Sequence, residues 1–337
     1  MQKMRLGRTG LMVSAVGFGG IPIQRLTNDQ AVAVVRRCLD LGMTFLDTAN
    51  AYSTSEERIG EAIAGRREGL IIATKSGARD GEGVRQHLAL SLERLGVETI
   101  DLYQFHNVSN PEQYEKTLAP GGPLEVTREA QAAGKVRHIG LTSHSMDMAL
   151  QAARSGHFET IMFPFNFITD EAVEELIPLA LRHDVGFIAM KPMGGGLLEN
   201  ATVAFKWLRR FPVVPIVGIE RAWEIDEAIA LMQGPAEMTA AEEGEMARLR
   251  AELGTRFCRR CGYCQPCPEG VAVSLLMIVD SLVKRMPMER LQSGWAAQGV
   301  ETAEKCVKCG ECEEKCPYGL PIREMMDENL ALWQAAL

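Results

Sequence analysis

A closed (β/α)8 barrel followed by a small cysteine-rich α+β unit is the fold that the sequence predicts, and three observations predict it. Short apolar runs, often β-branched, alternate with helical patterns eight times before residue 235. Such runs suit a parallel sheet covered on both faces, and eight of them favour closure over an open sheet. No G-x-G-x-x-G stands between the first strand and the first helix, which weakens an open dinucleotide-binding sheet. Finally, eight of the nine cysteines fall between positions 258 and 316, after the barrel pattern has stopped.

Taken in order, the apolar stretches on either side of Thr9-Gly10 predict a hairpin within 5–14. Residues 15–20 form the first barrel strand. Asn28 is the expected N-cap of a helix over 29–41 that stops at Gly42. The later strands are expected at 44–47, 70–75, 99–106, 136–141, 159–163, 186–190 and 213–217. The helices between and after them are expected at 55–64, 84–95, 124–133, 146–155, 170–183, 201–211 and 222–232, with a Pro/Gly-rich loop before the one at 124. The pattern ends at Gly234-Pro235, and a charged helix over 239–253 follows. The expected organisation is therefore a barrel over 1–235, a helical linker over 236–255 and a cysteine-bearing domain over 256–337.

Composition narrows the function classes. The chain has 337 residues, 24% charged and 46% apolar, which is ordinary for a globular protein. A net charge of -8 with no dense Lys/Arg run argues against nucleic acid as a partner. No apolar run approaches the ~20 residues of a membrane span, and Met1-Gln-Lys-Met-Arg-Leu-Gly lacks a signal-peptide core. A cytoplasmic location is the expectation, and cysteines there read as metal ligands before disulfides. Cys38 falls in the apolar pattern of the first helix and is expected in the core; His87, His138, His157 and His183 match no ligand spacing.

Chemistry is expected where strands open into loops. Phe45-Leu-Asp-Thr-Ala-Asn-Ala-Tyr52 carries a carboxylate at a strand end and a phenol five residues on. Lys75 ends the third strand, His106 the fourth, and Ser143 follows the fifth. In a parallel barrel all C-terminal strand ends share one face, so these groups converge. Together they suit carbonyl reduction. A hydride arriving at a carbonyl carbon leaves charge on oxygen, which a proton donor must meet. A phenol is a weak acid, with an ordinary pKa of ~10, and an adjacent ammonium makes it stronger. Lys75 can do this for Tyr52, Asp47 can hold Lys75 charged, and His106 can orient the substrate oxygen.

These residues also carry a resemblance. Asp47-Thr-Ala-x-x-Tyr52, Lys75 after Ile-Ile-Ala-Thr, Asp101-Leu-Tyr-Gln-Phe-His106 and Ile139-Gly-Leu-Thr-Ser143 after Gly134-Lys-Val-Arg137 are similar to motifs of the aldo-keto reductase superfamily. So are Arg5-Leu-Gly-Arg-Thr-Gly-Leu-x-Val-Ser14 and Gly17-Phe-Gly-Gly20. The resemblance implies a nicotinamide cofactor across the barrel mouth, Tyr52 as general acid, and Asp47, Lys75 and His106 as the rest of a catalytic tetrad. It implies cofactor contacts at Gly20, at Ser143 (the nicotinamide carboxamide), in the loop Met193-Gly-Gly-Gly196 that includes Gly194, and at Glu227 (the adenine). The pattern departs at several places. His144 stands where an Asn is usual, and the family Gln falls on Met162; Asn166 is either its substitute or a loop-turn residue. Gly218 and Glu224 stand where a Lys and an Arg commonly bind the 2′-phosphate, with Arg221 nearby. The family implies NADPH, and these departures leave NADH open.

The cysteines form two arrays, Cys258-x-x-Cys261-x-x-Cys264-x-x-Cys267-Pro268 and Cys306-x-x-Cys309-x-x-Cys312-x-x-x-Cys316-Pro317. Spacing of two lets one tight loop present three thiolates to one cluster. The second array matches the bacterial ferredoxin pattern; the first is one residue shorter in its last gap. Each continues as Pro-x-Gly-apolar, so the domain is a pseudo-repeat that resembles a ferredoxin-like module with two [4Fe–4S] clusters. The resemblance implies one cluster on Cys258, Cys261, Cys264 and Cys316 and another on Cys306, Cys309, Cys312 and Cys267. Four-cysteine zinc sites also use C-x-x-C pairs and stay an alternative. The segment between the arrays is expected to hold at least one helix, near 274–285.

The leading expectation is an NAD(P)(H)-dependent oxidoreductase that takes a small-molecule carbonyl or alcohol, with the clusters structural or relaying electrons to a redox partner protein. Two others stand beside it. One is an electron-transfer protein whose barrel only binds a partner or cofactor; the other is a lyase forming a Schiff base on Lys75.

Overall fold

The computed structural model describes residues 1–337, apart from the side chains of Arg285 and Arg290. It forms two compact units: Met1–Gly194 with Leu198–Met238, and Gly195–Leu197 with Thr239–Leu337. In the first, β1 (Lys3–Arg5) and β2 (Met12–Ser14) pair antiparallel as the expected hairpin. The barrel strands follow as β3 (Gly17–Gly19), β4 (Phe45–Asp47), β5 (Ile71–Ser76), β6 (Ile100–Phe105), β7 (Val136–Thr142), β8 (Thr160–Pro164), β9 (Gly186–Met190) and β10 (Val214–Gly218). Each pairs in parallel with its neighbour, and β10 pairs with β3, so the sheet closes in sequence order. Helices α1 (Asn28–Asp40), α2 (Ser55–Ile63), α3 (Gly81–Leu95), α4 (Pro111–Leu118), α5 (Pro123–Ala132), α6 (Met146–Arg154), α7 (Leu176–Arg182), α8 (Ala201–Leu208) and α9 (Ala222–Gln233) make up its helical part.

Several expected boundaries move for identifiable reasons. The N-cap of α1 is Thr27, not Asn28. Thr27 accepts from the Gln30 amide while Gln30 Oε1 accepts from the Thr27 amide, a reciprocal box that Asn28 cannot make. Asn28 instead donates to Glu61 at 2.8 Å. The Pro/Gly-rich loop contains α4, with Asn110 Oδ1 capping the Gln113 amide and Pro111 at the first position. The single helix expected over 170–183 is a 3-10 turn, Glu171–Val173, and then α7. Starting at Leu176 puts Pro178 in the first turn, where its missing N–H costs nothing. Cys38 is fully buried in α1, and burial pushes its thiol well up.

The barrel interior is layered. Phe45, Ala73, Leu102, Met162, Ile188, Val214 and Ile216 pack together with Leu6 and Val13 of the hairpin segment, so the hairpin closes the N-terminal end. Side chains alternate along a strand, so residues two further on point inward one layer nearer the C-terminal mouth. Those residues include Asp47, Lys75 and Gln104.

In the second unit the regular elements, among the described residues, are helices rather than the mixed α+β expected: α10 (Ala240–Leu253), α11 (Val273–Leu276), α12 (Val279–Arg285), α13 (Met288–Leu291), α14 (Trp295–Glu301), α15 (Glu311–Glu314) and α16 (Ile322–Ala336). The cysteine loops take irregular paths. The helix expected near 274–285 is broken into α11 and α12. A core of Val271, Leu276, Val279, Leu320, Ile322, Met326 and Trp333 holds the unit, and Cys258, Cys264, Cys267, Cys306, Cys312 and Cys316 pack against it.

Candidate active site

Asp47 is the last residue of β4, level with Ala73 on β5. Beyond it the chain is stitched to β5: Thr48 N donates to Ala73 O at 2.9 Å and Asn50 N to Lys75 O at 3.0 Å. Turn bonds from Tyr52 N to Ala49 O and from Ser55 N to Tyr52 O then bring the phenol back over the strand ends. Ser53, with φ of 40°, is held by Gln24 Oε1 at 2.9 Å. The ring of Tyr52 therefore lies with its centroid 5.1 Å from Lys75 Nζ.

Lys75 is 2% exposed, and its ammonium donates to Asp47 Oδ1 at 2.5 Å and to Thr48 O at 2.6 Å. His106 follows β6 directly, its amide donating to Ser76 O at 2.8 Å. Its ring stands edge-on to Tyr52, with centroids 5.7 Å apart. The four groups expected to converge are thus brought together at the mouth. Burial opposes the charge on Lys75, but Asp47 and then Tyr52 outweigh it and raise its pKa. Burial also pushes the Asp47 carboxyl up, with Lys75 and Gln104 pulling against that. The two shifts belong to one coupled pair.

Gln104 is the residue that the sequence reading missed. It is level with Lys75 on β6 and donates from Nε2 to Asp47 Oδ2 at 3.0 Å. A Gln in a run of buried strand residues was the signal available.

The expected cofactor contacts divide. Gly20 N donates to Asp47 O at 2.8 Å; a Cβ there would lie 2.6 Å from Ser55 Oγ and 3.1 Å from Asp47 O, so close packing alone requires the glycine. Ser143 is buried after β7, its hydroxyl exchanging hydrogen bonds with the backbone of Ser145. Asn166 is bonded within its loop turn: Oδ1 accepts from Ile168 N and Thr169 N, each at 2.9 Å, and Nδ2 donates to Lys191 O. Met162 is part of the apolar interior. Gly194, Gly195 and Gly196 all have positive φ, a run that suits glycine and leaves the backbone bare. After β10, Glu224 Oε2 accepts from the Glu220 amide at 2.7 Å and the Arg221 amide at 2.9 Å, and Glu227 is exposed on α9.

In the second unit, Cys267, Cys306, Cys309 and Cys312 line one cavity, joined by Cys264, Val271, Val273 and Met326. Cys264 is half-buried; burial, then the neighbouring Cys258 and Cys261, push its thiol up to about 12. A bound cationic centre would relieve that thiol, and the spacing of the two cysteine arrays is the feature that fits clustered iron. Arg259 lies over the Tyr318 ring at 3.9 Å, which ties the loop after Cys258 to the segment after Cys316.

Residues 15–204, more than half of the chain, match the model of the aldo/keto reductase family, and residues 257–321 match that of a 4Fe-4S dicluster domain. An uncharacterized oxidoreductase of Bacillus subtilis, YqkF, is 30% identical over 214 residues, 59% of this chain and 67% of that protein. The L-galactose dehydrogenase of Arabidopsis thaliana is 32% identical over 216 residues, 58% of this chain and 66% of that protein. The chain thus spans about two thirds of the length of these relatives. An aldo-keto reductase of Bacillus halodurans in its holo form superposes with a TM-score of 0.63 at 23% identity, covering 74% of this chain and 96% of that one. One from Klebsiella pneumoniae in complex with NADP and acetate gives 0.63 at 21%, covering 74% and 95%. At these identities the two structures speak for the fold.

Proposed function

The chain belongs to the aldo/keto reductase family and is an oxidoreductase, and we propose that its barrel mouth interconverts a carbonyl and an alcohol with Tyr52 as proton donor and acceptor. The observation that carries this reading is the convergence of a buried Asp47–Lys75 pair on the Tyr52 ring, with His106 edge-on to it. When bound, a nicotinamide dinucleotide supplies the hydride. The protein's part is the proton. Tyr52 gives its hydroxyl proton to the substrate oxygen as the carbon is reduced, and the phenolate left behind faces the Lys75 ammonium. Asp47 keeps that ammonium charged and aimed, and His106 sits where it can hold the substrate oxygen. Oxidation of an alcohol runs the same proton the other way. A charged, sealed Lys75 is a poor nucleophile, which weighs against the Schiff-base alternative. The relative named as an L-galactose dehydrogenase makes a sugar-type alcohol the first substrate class to try.

Ser143 and the side-chain-free backbone at Gly194, both in the barrel unit, suit the dinucleotide. At the rim, Glu224 occupies the amides that a phosphate at the start of α9 would use, and its charge opposes a second anion. By Coulomb repulsion a carboxylate there disfavours a 2′-phosphate dianion far more than a neutral ribose hydroxyl. NADH is therefore expected to bind at least about tenfold more tightly than NADPH. The Klebsiella neighbour, which holds NADP, makes this a discriminating measurement.

Two [4Fe–4S] clusters on the crossed cysteine sets complete the reading. The cavity that brings Cys267 to Cys306, Cys309 and Cys312 is compatible with the second set, although Cys264 lines it too, and the Arg259–Tyr318 contact brings the loop after Cys258 to the segment after Cys316, as the first set requires. Because six of the eight cysteines pack against the small core of their unit, clusters held by them would stabilise its fold whether or not they relay electrons. Tyr52→Phe tests the barrel reading. Carbonyl-dependent NAD(P)H oxidation should fall by about 10³-fold with the cluster absorbance intact; retained turnover would sink it. Anaerobic titration with NADH and NADPH, following cluster bleaching, shows whether electrons pass between the units.

A further inference from the structure

Gln104 has no role in the reading above, yet it is bonded directly to the buried charge pair. Its side chain is fully buried in the layer that holds Asp47 and Lys75. Its amide donates to Asp47 Oδ2 at 3.0 Å, on the opposite carboxylate oxygen from the one that Lys75 holds at 2.5 Å. Both oxygens of Asp47 are thereby fixed, and a carboxylate held on both oxygens cannot swing. The carbonyl oxygen of the same amide, Oε1, is buried and accepts no hydrogen bond from any described residue. Such an orphan is costly, so an apolar side chain of the same volume would serve packing better. The neighbouring strand also packs closely on it. Gly140, level with Gln104 on β7, would bring a Cβ to 3.1 Å from Gln104 Cγ and 2.2 Å from Thr160 Oγ1.

We infer that Gln104 is a positioning residue, which locks Asp47 in the ionised, correctly turned state that aims Lys75 at Tyr52. The inference rests on the proposed role of Tyr52, and the test separates the two. Ionised Asp47 is the active form, and the Gln104 amide favours it. Removing the amide raises the pH at which Asp47 takes a proton, so activity is lost earlier on the acid side.

The variants are Gln104→Met, which keeps volume, and Gln104→Glu, which keeps shape and sets a second carboxylate against Asp47. Both are assayed with NADH and a reducible carbonyl across pH, beside Tyr52→Phe. The expected result is an acid limb moved up by about one pH unit for Gln104→Met and further for Gln104→Glu. At neutral pH kcat should fall by about tenfold, while NADH affinity, read by fluorescence, stays as in the wild type. If Tyr52→Phe is inactive but the acid limb of the Gln104 variants stays in place, the inference is wrong and the reading of Tyr52 stands. If Tyr52→Phe turns over normally, the reading itself fails. Should Gln104→Met not fold, the near-isosteric Gln104→Glu decides: an unmoved limb overturns the proposal.

Discussion

The two ends of the barrel use the same chemistry to different ends. At the N-terminal end, Asp101 is fully buried but its cations reach water. Arg67 meets Oδ2 at 2.5 Å, Arg137 lies 2.9 Å from Oδ1, and the Ile72 amide donates to Oδ2 at 2.8 Å. Glu159 takes His138 Nδ1 at 2.7 Å and the Ile139 amide at 3.0 Å, and Arg5 pairs with Asp184 in the open. At the C-terminal end both members of the Asp47–Lys75 pair are sealed from water, and beside them stands a phenol instead of another strand tie. A charge pair with its cation in solvent can fasten strands at little desolvation cost. A pair buried on both sides has a large desolvation penalty, repaid only by close geometry and further hydrogen bonds, so it is an inefficient way to add stability alone. Barrel floors are read as stability and barrel mouths as chemistry, and the placement of water around each pair gives the physical reason.

Lys75→Met is the sharpest way to break this contrast. It leaves Asp47 buried against Gln104 alone, and losing one partner of a buried pair costs about 3–5 kcal/mol. Turnover should fall by about 10³-fold or more, and thermal melting should show the stability loss. If the variant melts early yet keeps its turnover, the mouth pair is a clamp like those of the floor.

Most of the mouth was legible in the sequence because the barrel does the assembling. Any polar residue at a strand's C-terminal end reaches one face, so Asp47, Lys75 and His106 needed only their strands to be found. Gln104 escaped because it lies inside its strand, two residues before the loop, where polarity signals nothing until the register with Lys75 is known. The turn bonds of Asn166 could not be read from the sequence, because they depend on where the Ile168 and Thr169 amides fall. Cysteine spacing was legible for another reason: cluster geometry dictates it locally. The helices between the arrays were not, since α11, α13 and α14 are too short for periodicity to register.

Asp101→Asn breaks the contrast from the floor. The amide keeps the shape but forfeits charge-assisted bonds to Arg67 and the Ile72 amide, worth about 2–3 kcal/mol. Melting temperature should drop by several degrees while kcat stays within about twofold. A large loss of kcat in a still-folded variant would mean that the floor is coupled to the chemistry after all.

Glu159→Gln has the smallest expected effect and reads the floor through pH. Burial works against the charge on Glu159, but the bonds from His138 and the Ile139 amide, with Arg8 further off, outweigh it and hold the carboxyl below its usual range. A depressed carboxylate contributes stability that is fully present above the unfolded pKa, about 4.3, and is lost as pH falls through the lower folded value. At neutral pH the variant should therefore be less stable than the wild type by about 1 kcal/mol, the amide still accepting hydrogen bonds but carrying no charge. Below about pH 4 the gap should close, because the wild-type carboxyl then takes up a proton too. Chemical denaturation at pH 7 and pH 3 measures both values. A gap that stays constant across that range would assign the contribution to packing and not to charge. A fall in kcat at neutral pH would place Glu159 with Asp47 and Lys75 instead of with Asp101.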